Sequence, residues 1–428
     1  MVSGINKHST TCSPPYGQSH HVSRRCTYLS APQAYLLVGS AVFALYFPTS
    51  IDGHISEGLA SFAVLSVFAC LTVAVLKPII LWQETHFNTL MGLNSAMIIL
   101  ILFIATANSP FKTISWGAFP VYFSIALIYL INLKMVSSKP FLPLFLVFIN
   151  FINLAWAIGL IFQLDSFIHL TTQYYTCWYD ELLEYMLVLH KPILVYGSHS
   201  VAAFFFYIFF LLNIETYTYK HNRLYLVFSI LYILLQPLLL SSSAYVFFVI
   251  AILHFTYKSV FRRFDIPSFA MLVLLAISLI VFLMQLVGGD LTSQVAKLSI
   301  DVLLGNDENG FLSRYATGGA LAPEIRYILA NPLFPVGLTY SEGFLFGDSG
   351  AVVYVLRGGV LLLLAIYGGL LFFLKTNLES TAMAYWLFFI IAFFEIGFTP
   401  LTYFRFIAFL PFVIVYLNSI RSKTEPST

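Results

Sequence analysis

Apolar runs of about 20 residues recur along nearly the whole chain, separated by polar connections. That is the length a helix needs to cross a bilayer core of about 30 Å. In hydrocarbon a continuous apolar segment must satisfy its own backbone amides, which restricts such runs to α-helices. Spans are predicted near 33–50, 59–76, 88–107, 115–133, 140–163, 197–214, 224–240, 243–257, 267–287, 349–374, 380–398 and 400–419. The 224–257 pair is also readable as one re-entrant hairpin. The expected fold is therefore all-α: a polytopic integral membrane protein with about 12 transmembrane helices. Only 9% of the residues are charged. A soluble domain carries roughly 25%, so the surface of this chain calls for lipid rather than water.

The net charge of +2 is small and dispersed, which argues against a nucleic-acid partner. Cys12, Cys26, Cys70 and Cys177 form no C-x-x-C or paired spacing. Neither a disulfide framework nor a zinc site is expected from them. The connections hold no Asp-x-Asp motif and their carboxylates are scattered, so no metal and no cofactor is expected.

Orientation follows from lysine and arginine. With the N-terminus in the cytoplasm, Lys7, Arg24, Arg25, Lys77, Lys134, Lys139, Lys220, Arg223, Lys258, Arg262, Arg263, Lys375, Arg421 and Lys423 share that side. These are 14 of the 21 basic residues, as the positive-inside rule requires. Both termini are then cytoplasmic. The chain divides into a polar tail over 1–30, one helical membrane domain over 31–419, and a tail over 420–428. Ser23-Arg24-Arg25 ahead of the first span reads as a positive flank, with a twin-arginine export signal as the other reading.

The exceptions carry the functional signal. Lys112, Lys191, Lys297, Arg314, Arg326, Arg357 and Arg405 fall on the outer side or near the outer end of a span. Two outer loops, about 164–196 and 288–348, are far longer than the others, and long loops on a compact scaffold commonly carry function. An arginine binds phosphate oxygens bidentately and keeps its charge, which suits it to holding a diphosphate. The bland alternative pairs Arg314 and Arg326 with Asp307, Glu308 or Glu324. Glu395 and Arg405 flank Pro400 at five residues each way, so a tight hairpin would place them at one depth as a structural ion pair. Tyr174, Tyr175, Trp178 and Tyr179 read as an interfacial aromatic belt, or as a sugar-stacking surface.

The order of short motifs adds a resemblance. Ser313-Arg314, Asn331-Pro332-Leu333-Phe334 with Gly337, Asp348-Ser349-Gly350 and Arg357-Gly358-Gly359 follow one another in the second half. Lys191-Pro192-Ile193 and Tyr196-Gly197-Ser198-His199-Ser200 precede them, and ten residues separate Arg326 from Gly337. Over roughly 190–375 this pattern resembles the O-antigen polymerase (Wzy-type) and ligase superfamily of membrane glycosyltransferases. Two departures stand out: Lys191 where many members have arginine, and Asp348 where the ligase branch tends to have histidine.

The resemblance implies a metal-independent transfer at the periplasmic face of a bacterial inner membrane. An undecaprenyl-diphosphate-linked oligosaccharide would pass onto another lipid-linked repeat unit in polysaccharide or lipopolysaccharide biosynthesis. A chain-length regulator and a flippase would be partners. It implies Arg314 and Arg326 at the donor diphosphate, with Asp348 as general base or simply as a helix cap. Lys191, His199 and Arg357 would bind substrate, His199 being a second candidate base. The bland readings are a backbone contact for His199 and an ion pair for Arg357. The ligase of the same superfamily is the nearest alternative. A secondary transporter or lipid flippase is the other, although no internal repeat is evident in the sequence.

Overall fold

The computed structural model describes residues 31–55, 59–66, 85–131, 133, 141–175, 187–260, 313–316, 318–333, 335–340, 343–344, 346 and 349–421. The chain is mostly helical. In order run α1 (Ala31–Tyr46), a short hairpin of β1 (Ser50–Ile51) and β2 (His54–Ile55), and α2 (Thr85–Ala107). Then come β3 (Thr113–Ile114), α3 (Ala118–Tyr129), α4 (Phe141–Ile161) and α5 (Asp165–Tyr174). The second half holds α6 (His199–Lys220), α7 (Arg223–Leu238), α8 (Ser242–Val260), α9 (Ala322–Ala330) and β4 (Thr339–Tyr340). It ends with α10 (Gly350–Asn377), α11 (Thr381–Phe394) and α12 (Phe404–Arg421).

Among the described residues five helices are long and apolar enough to cross a membrane: α2, α4, α6, α10 and α12. Five further apolar helices, within α1, α3, α7, α8 and α11, are shorter. This is a coarser result than twelve spans; the stretch expected at 267–287 lies outside the described residues.

Two helices form the centre. The most apolar windows of α6 and α12 are 89% and 94% buried, whereas that of α2 is only 28% buried. A helix that is apolar all round belongs inside a bundle, and α6 reads Phe204-Phe205-Phe206-Tyr207-Ile208-Phe209-Phe210 with every one of these side chains buried. Rings interlock around it: Phe204 stacks on Phe394 at 4.8 Å and meets Phe406 edge-on at 4.7 Å. α6 packs against α7, α8 and α12, while α12 also carries α1. α10 gathers α2, α3 and α11. The outer faces of the peripheral helices expose Leu93, Leu100, Phe103, Leu144, Phe148, Leu361 and Leu364, the surface a membrane-embedded bundle presents to lipid.

Buried amides fix the helices' register. Asn150 of α4 and Asn213 of α6 exchange side-chain hydrogen bonds at 2.8 and 3.1 Å. Tyr232 of α7 donates to Asn150 at 3.1 Å and accepts from Asn153 at 3.2 Å. Tyr46 of α1 closes the chain on Asn153 at 2.8 Å. At the same end as Tyr46, β3 and β4 pair antiparallel, Thr113 with Tyr340 and Ile114 with Thr339. The 336–340 segment is thereby docked on the bundle.

Candidate functional site

The site begins with how α6 starts. Gly197 takes φ +68° just ahead of the helix, a left-handed turn that only glycine makes without strain. Ser198 occupies the N-cap position but its side chain does not close the cap. His199 is thus the first helical residue, at the positive end of a 22-residue dipole. Upstream, Ile193 N donates to the Lys191 carbonyl at 2.9 Å, and His190 Nδ1 lies 2.8 Å from the Ile161 carbonyl. This folds the loop back so that Lys191 is only 3% exposed.

The second loop supplies the other cation. Residues Ser313–Tyr315 form one 3-10 turn. Arg314 Nη1 donates to the Gly397 carbonyl at 2.9 Å. The Tyr315 hydroxyl sits between Ser349 Oγ at 2.9 Å and the Ile396 carbonyl. Ser349 Oγ and Gly350 N, at the start of α10, both donate to the Glu395 carbonyl, at 3.3 and 2.8 Å. The connection between α11 and α12 is therefore a platform carrying the Arg314 turn and the N-terminus of α10.

Lys191 and Arg314 both lie close enough to His199 to act on its charge. His199 Nδ1 is buried, and among the described residues it has no hydrogen-bond partner. Three residues singled out in the sequence, from two loops and a helix start, are thus within electrostatic reach of one another. A lysine and an arginine within reach of a helix N-terminus make a region suited to anionic oxygen ligands. Among the described residues no three His, Cys, Asp or Glu side chains come together as metal ligands.

Other expected site residues fall elsewhere. Arg326 is exposed on α9 and donates from Nε to its own helix at Ala322, 3.2 Å away. Asp348 lies outside the described residues. Arg357 is buried, and its Nη1 donates to the carbonyls of Gly337 at 2.7 Å and Thr339 at 3.3 Å. Its guanidinium lies 4.1 Å from the Phe346 ring centroid. Among the described residues it pairs with no carboxylate, and it braces a break in α10 at Gly358 and Gly359. There Val336 N and Gly337 N donate to the carbonyls of Leu356 and Arg357, at 2.8 and 2.9 Å. The family-like glycine at 337 is needed by this docking: its φ is +61°, and a Cβ would lie 2.2 Å from Thr106 N.

The expected Glu395–Arg405 ion pair is not made. Glu395 accepts from the Tyr354 hydroxyl (2.8 Å) and Leu401 N (3.0 Å) at Oε1, and from the Tyr367 hydroxyl (2.8 Å) at Oε2. Arg405 donates instead to the Tyr403 hydroxyl at 2.9 Å and to the carbonyls of Ala44 at 3.3 Å and Leu45. The reason is azimuth rather than depth. α11 packs on α10 and α12 packs on α1, so the two side chains turn to different neighbours.

One ionic cluster was missed in the sequence. At the opposite end of the bundle Glu215 is buried, with Lys258 at 2.5 Å, Arg421 at 3.3 Å and His254 at 3.8 Å. An acid inside an apolar run is a functional or structural signal by default, and Glu215 stands in one. Comparison with known proteins finds no matching family model, curated protein or solved structure.

Proposed function

We propose that this chain is a membrane glycosyltransferase of the polymerase type, acting on a glycan carried by undecaprenyl diphosphate. In this reading the chain crosses a bacterial inner membrane about 12 times, with both termini cytoplasmic and the Lys191–His199–Arg314 region at the periplasmic face. The observation that carries the proposal is that Lys191 and Arg314, from separate loops, both lie within electrostatic reach of His199, the first residue of α6. A diphosphate is the ligand such a cationic region suits best.

The chemistry assigned to these residues is as follows. The acceptor sugar hydroxyl attacks the anomeric carbon of the donor glycan, and the bond from that carbon to the diphosphate oxygen breaks. Arg314 and Lys191 hold the negative charge of the departing undecaprenyl diphosphate. The hydroxyl proton passes to a general base, His199 or Asp348. Among the described residues the buried His199 Nδ1 has no hydrogen-bond partner, and Asp348 stands two residues ahead of α10 in sequence. Arg326 belongs to the outer rim of this scheme, since its side chain is exposed and held by its own helix.

The test is a deletion strain complemented with wild type, Arg314→Ala, Lys191→Ala, His199→Ala and Asp348→Ala, with surface polysaccharide resolved by gel. A polymerase deletion leaves a single repeat on its final acceptor, and the variants of essential residues match it at normal expression. Full-length polymer accumulating on its lipid identifies a ligase instead. An unchanged ladder in the deletion strain refutes both glycan readings.

A further inference from the structure

The short helix α9 has two unlike faces. Ala322 and Glu324 are buried, and the Tyr327 ring packs against Phe111 and Phe344 with centroids 5.8 and 5.5 Å apart. Arg326, Leu329 and Ala330 are exposed, at the i, i+3 and i+4 positions that share one side of a helix. Leu329 is 76% exposed, and Leu333 in the turn that follows is 82% exposed. Two large aliphatic side chains left in water forgo the stabilisation that burial would give them. They stand beside an arginine whose Nε is held on the Ala322 carbonyl at 3.2 Å.

The depth of this face follows from what is attached to it. Val336 N donates to the Leu356 carbonyl, about 9 Å along α10 from its start, and Leu338 N donates to Thr106 Oγ1 at 2.8 Å. Thr106 is next to the end of the 19-residue apolar span Thr89–Ala107. That span rises about 28 Å, close to the thickness of a bilayer core, so Thr106 marks the hydrocarbon boundary. Leu333 is three residues ahead of Val336 and can be no more than about 11 Å from it, which keeps it in or beside the headgroup layer. The lipid-facing surface of α2 runs up to this edge, with Phe103 and Ile104 exposed just below Thr106. Trp116, which follows β3, and Tyr340 of β4 are exposed at the same edge. Such rings, apolar in body and polar at the tip, settle at the membrane interface.

We propose that the exposed face of α9 docks on the surrounding bilayer, with Leu329 and Leu333 in the headgroup–acyl boundary and Arg326 on a phospholipid phosphate. Depth and charge together select lipid as the occupant. The face continues the lipid-covered edge of α2, and a basic residue beside an apolar stripe is the form that interfacial helices take. A guanidinium pairs with phosphate oxygens, while its alkyl stem covers apolar surface. The segment ahead of Val336 is then held from two sides, by α10 and α2 within the bundle and by the membrane through α9. Arg326, which the diphosphate scheme leaves at its rim, gains a ligand of its own. This inference rests on membrane embedding and is independent of the glycosyltransferase reading.

The experiment uses the full chain in phosphatidylcholine–phosphatidylglycerol nanodiscs, with Cys12, Cys26, Cys70 and Cys177 changed to alanine. A bimane label is attached at Leu329→Cys or Leu333→Cys, and at Phe103→Cys as the lipid-facing reference. Quenching is compared between lipid carrying a nitroxide near the top of its acyl chain and iodide in the water. Both α9 labels should lose fluorescence several-fold to the nitroxide lipid, as the reference does, and little to iodide. Arg326→Glu sets a carboxylate against the lipid phosphates and should at least halve the nitroxide quenching at position 333. Quenching by iodide alone would place the face in water, and quenching by neither would place it under a second copy of the chain. Either result overturns the proposal, and nitroxide quenching unchanged by Arg326→Glu would overturn the phosphate contact.

Discussion

Gly337→Ala tests how the 336–340 segment is held, and its cost follows from the structure in two parts. The first is conformational: an L-residue at φ +61° pays about 1–2 kcal/mol for the left-handed region. The second is steric. The new methyl would lie 2.2 Å from Thr106 N, 2.4 Å from Oγ1 and 2.5 Å from Cα. Backbone atoms cannot turn aside as a side chain would, and Thr106 Oγ1 is already committed, donating to the Leu102 carbonyl at 2.6 Å and accepting from Leu338 N at 2.8 Å. Relieving such an overlap costs about 1–3 kcal/mol, for a total of about 2–5 kcal/mol. Gly53→Ala is the control. Gly53 has φ +79° in the two-residue turn between β1 and β2, and a Cβ there would meet only the Thr172 carbonyl oxygen, at 4.0 Å. It should cost the conformational part alone, about 1–2 kcal/mol. SDS-titrated unfolding of the two variants in mixed micelles gives the comparison. If Gly337→Ala destabilised the protein no more than Gly53→Ala, the docking of 337 on Thr106 would be refuted.

Three further outcomes are expected. Glu215→Gln leaves Lys258 and Arg421 facing each other without their shared carboxylate. It should cost about 3 kcal/mol in the same unfolding assay, the low end for a buried pair because both cations keep some exposure. Asn150→Leu leaves Asn213 Oδ1 without its donor and the Tyr232 hydroxyl without its acceptor, and should cost about 1–3 kcal/mol; adding Asn213→Leu should then cost less than Asn213→Leu does alone, as a double-mutant cycle measures. Arg326→Ala should leave the polysaccharide ladder intact where Arg314→Ala collapses it, because Arg326 is exposed and tied to its own helix while Arg314 is anchored on Gly397 beside His199.

What the sequence disclosed was set by the kind of information each feature carries. The run over 197–214 was legible as a span because its apolar residues are nearly continuous, but its place at the centre of the bundle is set by packing that no single run discloses. Lys191 and Arg314 stood out because cations on the outer side violate the orientation rule, whereas His199 entered only through the motif order; the charges of the first two reach the third. The Glu395–Arg405 pairing failed because symmetry about Pro400 speaks of depth along a helix and is silent on the direction a side chain faces. Arg357 was likewise visible as an intramembrane charge. Its role as a brace depends on carbonyls freed by the break at Gly358 and Gly359, and on the distant 336–339 segment that fills it. Glu215 was overlooked when the basic residues alone were used to orient the chain, although an acid within an apolar run carries the same weight. The tyrosines that hold Glu395 carried no sequence signal, since Tyr354 and Tyr367 sit among many other aromatic residues.

The central claim is that Lys191 and Arg314 together hold a lipid diphosphate at the start of α6. The most direct measurement is the binding of undecaprenyl diphosphate to the full chain in nanodiscs, compared across variants. Wild type should bind, Lys191→Ala and Arg314→Ala should each weaken binding about tenfold or more, as removal of a charge-assisted contact does, and Arg326→Ala should match wild type. Equal binding by wild type, Lys191→Ala and Arg314→Ala would contradict the account.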